Sequence, residues 1–143
     1  MSNPPLAEAP WVEFQIRNRM KKNDIHVRHA RLDCGKYYKG SQSYEISTSE
    51  VDNIIIAPGL LESVSSCGRQ DSSSGTNGDF NLYDGNTKIC NVSWDCCPWS
   101  RPANECQIQS YNPETSSYFV ILGVWNSGPG AIGNVSITVS LQE

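Results

Sequence analysis

Apolar side chains recur at every second position through much of this chain. In Trp11 to Arg17, Val12, Phe14 and Ile16 fall on one face and Glu13, Gln15 and Arg17 on the other, the period of a half-buried strand. Trp11 falls on the polar face, so it is expected to be partly exposed. Asp24 to Leu32 alternates less cleanly. Ile54 to Ile56 is a short β-branched run stopped by Pro58-Gly59, a turn signal, and Leu60 to Ser66 can form another strand. Phe80 and Leu82 alternate with Asp79, Asn81 and Tyr83. Thr87 to Trp94 answers with Cys90, Val92 and Trp94 on one face. Asp84-Gly85-Asn86 between them predicts a hairpin, Asp-Gly being a favoured pair for type I′. Cys106 to Tyr111 gives a further short strand. Tyr118 to Trp125 is nearly all apolar, which predicts a central strand covered on both faces. Clean alternation from Val135 to Leu141 closes the chain.

The intervening segments are polar or rich in turn formers. Residues 1–10 hold three prolines and little to pack, and read as a flexible tail. Arg19, Lys21 and Lys22 make a short basic cluster on a turn, the usual place for solvated charge. Asp33 to Gly40 reads as a loop rich in Tyr and Lys and bounded by glycines, and Ser47 to Asn53 as polar. Residues 68–79 have few apolar positions and read as a loop whose glycines suit positive φ; it lacks the GK[ST] ending of a phosphate-binding P-loop. No amphipathic helix and no repeat is evident. About eight or nine short strands between such turns predict an all-β protein, a two-sheet antiparallel β-sandwich. A single domain over 11–143 succeeds the tail.

Composition narrows the function. Charged residues are 18% of the 143, and the formal charge is -4 with a pI near 5.1. Nucleic acid is excluded as a partner, because phosphate contacts need clustered Lys and Arg. Bulk attraction to anionic membranes is excluded for the same reason. The N-terminus lacks the basic and apolar regions of a signal peptide, so the chain is expected to be made in the cytosol. Its six cysteines, at 34, 67, 90, 96, 97 and 106, then have no assured oxidising compartment, and they allow 15 full pairings. No CxxC pair exists, and His26 and His29 lie far from the cysteines in sequence, so no metal and no cofactor is expected. Neither GxSxG nor HExxH occurs, and the chain is read as a non-enzyme.

The richest chemistry lies in Ser93-Trp94-Asp95-Cys96-Cys97-Pro98-Trp99-Ser100, which holds two of four tryptophans. Pro98 breaks any regular element there, leaving indoles at a strand end beside a carboxylate. Trp94 either packs in the core or faces a ligand together with Trp99. Aromatic faces attract ammonium groups, and Asp95 or Asp71 could add a carboxylate. Arg69, Lys36 or the backbone N–H groups of the Gly-rich loop could hold a phosphate; alternatively Arg69 and Asp71 only stabilise their loop. A zwitterionic lipid head group or a carbohydrate, as in a lectin-like sandwich, fits such a surface.

Several stretches together resemble the aegerolysins, in particular fungal Asp-hemolysin- and ostreolysin-like members. They are Ser66-Cys67-Gly68-Arg69 running through the Gly-rich loop to Asp84-Gly85, then Trp94-Asp95-Cys-Pro-Trp99, the opening Trp11-Val12, Cys34-Gly35-Lys36, and Gly130-Ala131-Ile132-Gly133. The resemblance runs from about Trp11 to Leu141. It implies a β-sandwich that binds membrane sphingolipids, such as sphingomyelin or ceramide phosphoethanolamine. It also implies a pore-forming partner of the membrane-attack-complex/perforin (MACPF) type. With the head-group chemistry above, the lipid-binding candidates are Trp11, Lys36, Tyr37, Arg69, Asp71, Ser74, Trp94, Asp95 and Trp99. A chain of this kind stays cytosolic or is secreted non-classically, and acts at a target cell membrane. The chain departs from the family pattern at Cys34, where a tryptophan is usual, and at Ser74, where binders of cholesterol-associated sphingomyelin carry glutamate. It departs again at the doubled Cys96-Cys97. All three bear on which lipid is preferred.

Overall fold

The computed structural model describes residues 10–69, 75–96 and 103–142. Among these, eleven strands and one short helix form an all-β sandwich of two sheets dominated by antiparallel pairing. The strands are β1 (Trp11–Asn18), β2 (Ile25–Cys34), β3 (Lys36–Lys39), β4 (Ser41–Ile46), β5 (Ile55–Ile56), β6 (Leu61–Cys67), β7 (Thr76–Asp84), β8 (Thr87–Cys96), β9 (Glu105–Gln109), β10 (Tyr118–Leu122) and β11 (Gly133–Leu141). One sheet has the order β10-β11-β1-β6-β3-β4 and the other β5-β2-β7-β8-β9.

The alternation reads out as expected where it is cleanest. Val12, Phe14 and Ile16 of β1 point into the core, as do Phe80 and Leu82 of β7 and Cys90, Val92 and Trp94 of β8. At the centre Trp94 packs against Phe14, Tyr37 and Phe80 with ring centroids 5.4, 5.9 and 6.0 Å away. These tilted and edge-on arrangements are the ones aromatic pairs prefer.

Five local expectations are corrected. Asp33 to Gly40 is not a loop: β3 fills it, because Tyr37 and Tyr38 bury their rings on opposite faces of the sheet. Residues 68–79 are not all loop either, since β7 starts at Thr76, whose side chain is buried and hydrogen-bonded. Tyr118 to Trp125 is not a central strand. β10 is the outermost strand of its sheet and leaves Phe119 and Ile121 about half exposed. One ladder is parallel, β11 running alongside β1 from Val12↔Gly133 to Asn18↔Val139. At the β7–β8 hairpin φ is positive at Gly85 but not at Asn86, the pattern of a type II′ turn and not type I′. The polar stretch after β4 adds a single helical turn, α1 (Thr48–Val51), capped reciprocally by Ser47 and Glu50.

The corner at Gly35 sets the start of β3. β2 and β3 lie in different sheets and are joined by this one residue. Its φ is +93°, and an added Cβ would lie 2.6 Å from the Cys67 carbonyl and 2.9 Å from Thr76 Cβ. Only glycine fits such a backbone and such a space.

Candidate functional site

The strand registers bring the sequence motifs to one end of the sandwich. Trp11 opens β1 opposite Cys67, the last residue of β6, and Cys67 faces Lys36, the first of β3. Thr76, the first residue of β7, pairs with Cys96, the last of β8, and Asp95 pairs with Glu105 at the start of β9. Pro10 accepts from the Gly68 N–H at 2.8 Å. Residues 70–74 and 97–102 are joined to this end through Arg69 and Gly75, and through Cys96 and Ala103. Asp71, Ser74 and Trp99 fall in those segments, outside the described residues.

Two hydrogen-bond systems hold the end in shape. In the first, the Trp94 indole N–H donates to Thr76 Oγ1 at 3.0 Å, the Thr76 hydroxyl shares a proton with Ser66 Oγ, and Ser66 Oγ donates to the Lys36 carbonyl at 2.8 Å. With the Ser66 proton committed to Lys36, Thr76 is the donor to Ser66, so every donor in the chain is used once. This ties the core to the first residue of β3. In the second, the buried Asn104 side-chain amide donates to the carbonyls of Asn126, Gly128 and Gly130 at 2.9–3.0 Å. Asn126 in turn donates to Pro129 and Ala131. The 126–131 loop is thereby curled around Asn104, beside the end of β8, where Cys96 Sγ meets the Gly130 carbonyl at 3.7 Å.

The predicted residues separate into three places. Tyr37 and Trp94 are core side chains, 1% and 2% exposed, so neither offers its ring to a surface ligand. The Tyr37 hydroxyl donates to the Arg31 carbonyl, and burial raises its pKa, with Asp79 adding to the effect. Asp95 lies on the outer face of the five-stranded sheet, beside Asn77 and Glu105 over a shallow hollow. Trp11, Lys36 and Arg69 lie together at the outer face of the other sheet. The structure therefore groups Trp11, Lys36 and Arg69 and sets Asp95 across the sandwich from them.

That group contains residues the sequence reading passed over. Trp11 packs with Tyr38 on Cys67, which is fully buried although it faces outward. Arg69 holds Glu45 of β4 in a two-pronged pair, Nη1 to Oε1 at 2.9 Å and Nη2 to Oε2 at 2.8 Å. The Arg69 hydrogen bond, with help from Lys36, keeps the Glu45 carboxyl below its ordinary pKa. Burial pushes the Cys67 thiol up. Glu13, beside Ser65, accepts from Ser65 Oγ at 3.2 Å and from Gln15 at 3.0 Å. Tyr38 had a signal in its alternation with Tyr37. Glu45 had none, because its partner lies 24 residues away in sequence.

Of the described cysteines, 34, 67, 90 and 106 are free of disulfides. Among the described residues no three His, Cys, Asp or Glu side chains converge as metal ligands, and no helix is long and apolar enough to cross a membrane.

The aegerolysin family model matches residues 9–142. The chain belongs to the aegerolysin family. It is 42% identical to Asp-hemolysin of Aspergillus fumigatus over 138 residues, covering 96% of each chain. It is 27% identical to ostreolysin A6 of Pleurotus ostreatus over 136 residues, covering 92% of this chain and 95% of that one. Among solved structures, the RahU protein in complex with a Tris molecule superposes with a TM-score of 0.86 at 34% identity, covering 96% of this chain and 98% of that one. IP-1A from Alcaligenes faecalis matches this aegerolysin at a TM-score of 0.83 and 36% identity, covering 96% and 94%.

Proposed function

We propose that this aegerolysin binds sphingolipid-containing membranes through the loop end of its sandwich. It then serves as the recognition component of a two-component cytolysin whose membrane-spanning part is a MACPF-type partner. The observation that carries the reading is the convergence of Trp11, Lys36, Arg69 and Glu45 at the end where the Gly-rich and tryptophan segments are attached. Family membership and the hemolysin and ostreolysin names of its relatives support it.

Magnitudes favour head-group contacts over simple insertion. Two indoles, Trp11 and Trp99, burying roughly 100 Å² each in lipid would contribute about 2.5 kcal/mol apiece. Micromolar binding needs about 8 kcal/mol net of the entropy of association. With Tyr37 and Trp94 in the core, the remainder falls to charged and polar groups. The chain works by binding and not by turnover, and it acts at the surface of a target membrane.

The test is dye release from sphingolipid vesicles alongside pelleting. The protein should pellet with the vesicles and release little dye by itself. Complete release by the pure chain would contradict the recognition role, and no pelleting would contradict the reading as a whole.

A further inference from the structure

We propose that the turn between β1 and β2 binds a compact, soluble, multiply phosphorylated small molecule through Arg17, Arg19, Lys21 and Lys22. β1 opens at the loop end with Trp11 and closes at Asn18, so this turn lies at the other end of the sandwich. The proposal does not depend on the lipid-binding reading.

The turn is held in one shape by a buried polar residue. Asn18 is fully buried, and its side-chain amide donates to the carbonyls of Asn23 at 2.7 Å and Ile56 at 2.9 Å. Its side-chain oxygen accepts from the Met20 N–H at 2.9 Å. The Arg19 N–H donates to the Val139 carbonyl at 2.8 Å, and the Met20 side chain packs into the core. The turn is therefore fixed at its start, middle and end, and the four cations are carried on backbone that is already ordered. Such preorganisation lowers the entropic cost of binding. Asp84, which Asn23 reaches at the end of the turn, is already engaged by the Tyr118 hydroxyl.

Charge and shape then name the ligand. Arg17, Arg19, Lys21 and Lys22 are exposed, and among the described residues none of them forms an ion pair. Two open hollows meet at Arg19. One of about 430 Å³ lies between Arg17, Arg19 and Gly59, and one of about 420 Å³ between Arg19, Lys21, Lys22 and Ser140. Guanidinium forks suit phosphate oxygens, and lysine adds point charge. A single exposed ion pair contributes little, so a ligand must carry several phosphates to engage several of these cations at once. It must also be small. The chain holds 11 Lys and Arg against 15 Asp and Glu, so without these four the remainder stands at 7 against 15, a charge of -8. An extended polyanion would meet that repulsion, whereas a compact one covers only the turn.

The test is an amide NMR titration of the wild-type chain at low salt with inositol hexakisphosphate, inorganic phosphate and uncharged inositol. Inositol hexakisphosphate should shift residues 17–23, Gly59 and Ser140, and should bind at least about tenfold more tightly than inorganic phosphate. Inositol should shift nothing. Arg19→Gln should weaken binding about tenfold, the loss of one charge-assisted hydrogen bond, and Arg19→Lys should recover only part of it. Arg31→Gln removes a cation of β2 that pairs with Asp79 elsewhere, and should change affinity less than about twofold. Equal losses in Arg19→Gln and Arg31→Gln would show unspecific attraction and overturn the proposal. So would shifts centred away from the turn, equal affinity for inorganic phosphate, or no binding by wild type. A second arm uses phosphatidylcholine vesicles with and without phosphatidylinositol bisphosphate. Pelleting that requires that lipid and is lost in Arg19→Gln would place the phosphates on a membrane and overturn the assignment to a soluble ligand.

Discussion

The Trp94 indole N–H donates to Thr76 Oγ1 at 3.0 Å inside the core. The bond begins the relay that reaches the Lys36 carbonyl through Ser66, so a core ring is coupled to the backbone that carries a site residue. Trp94→Phe keeps an aromatic ring but removes the donor and some volume. It should cost about 1–3 kcal/mol, read as a lower urea midpoint at unchanged slope. A loss of only a few tenths would mean that the bond is not worth what its burial implies.

Gly35 makes the corner between sheets. Gly35→Ala forces a side chain onto a backbone at φ +93° and against the Cys67 carbonyl, and should cost roughly 2–4 kcal/mol. Gly40, with φ +77° and nothing within 4 Å of an added Cβ, is the control. Its alanine variant bears the backbone strain alone and should unfold at a midpoint between those of wild type and Gly35→Ala. Equal midpoints for the two variants would refute the steric part.

Asn104 organises the 126–131 loop. Asn104→Ala strips three carbonyls of their shared donor and should cost about 1–3 kcal/mol. Amide exchange should speed up at Asn126 and Gly128 while the β7–β8 ladder stays protected. Uniform loss of protection would show the effect to be global.

Stability should fall in alkali. Burial raises the Cys90 and Cys106 thiols from 9 to about 12, and burial with the Asp84 contact raises the Tyr118 hydroxyl from 10 to about 12. Folding holds these groups neutral, so their stabilisation is complete below pH 9. It is lost as pH rises toward 12, by roughly 1.4 kcal/mol per pH unit for each group. Denaturant midpoints from pH 8 to 11 should decline, and less steeply in Cys90→Ala than in wild type. A flat profile would contradict the burial of these thiols.

Much of the fold was legible because its period is local. Val12, Phe14 and Ile16, or Cys90, Val92 and Trp94, declare their faces within a few residues. What was not legible depends on partners distant in the chain. β10 is as apolar as a central strand, and only the order of the sheet shows it to be an edge. Thr76 looks like loop until Trp94 and Ser66 are brought to it. Trp94 itself, in the most conspicuous stretch of the sequence, is core, and the exposed chemistry lies with Trp11, Lys36 and Arg69. Glu45 joins them only because β4 pairs with β3, a relation no nearby residue announces.

The most direct measurement of the central claim is equilibrium binding of the wild-type chain to vesicles that differ only in sphingolipid. Phosphatidylcholine vesicles are compared with and without sphingomyelin or ceramide phosphoethanolamine, each with and without cholesterol. The account predicts binding that appears with at least one sphingolipid and is absent from phosphatidylcholine alone. Equal indifference to every mixture would contradict it.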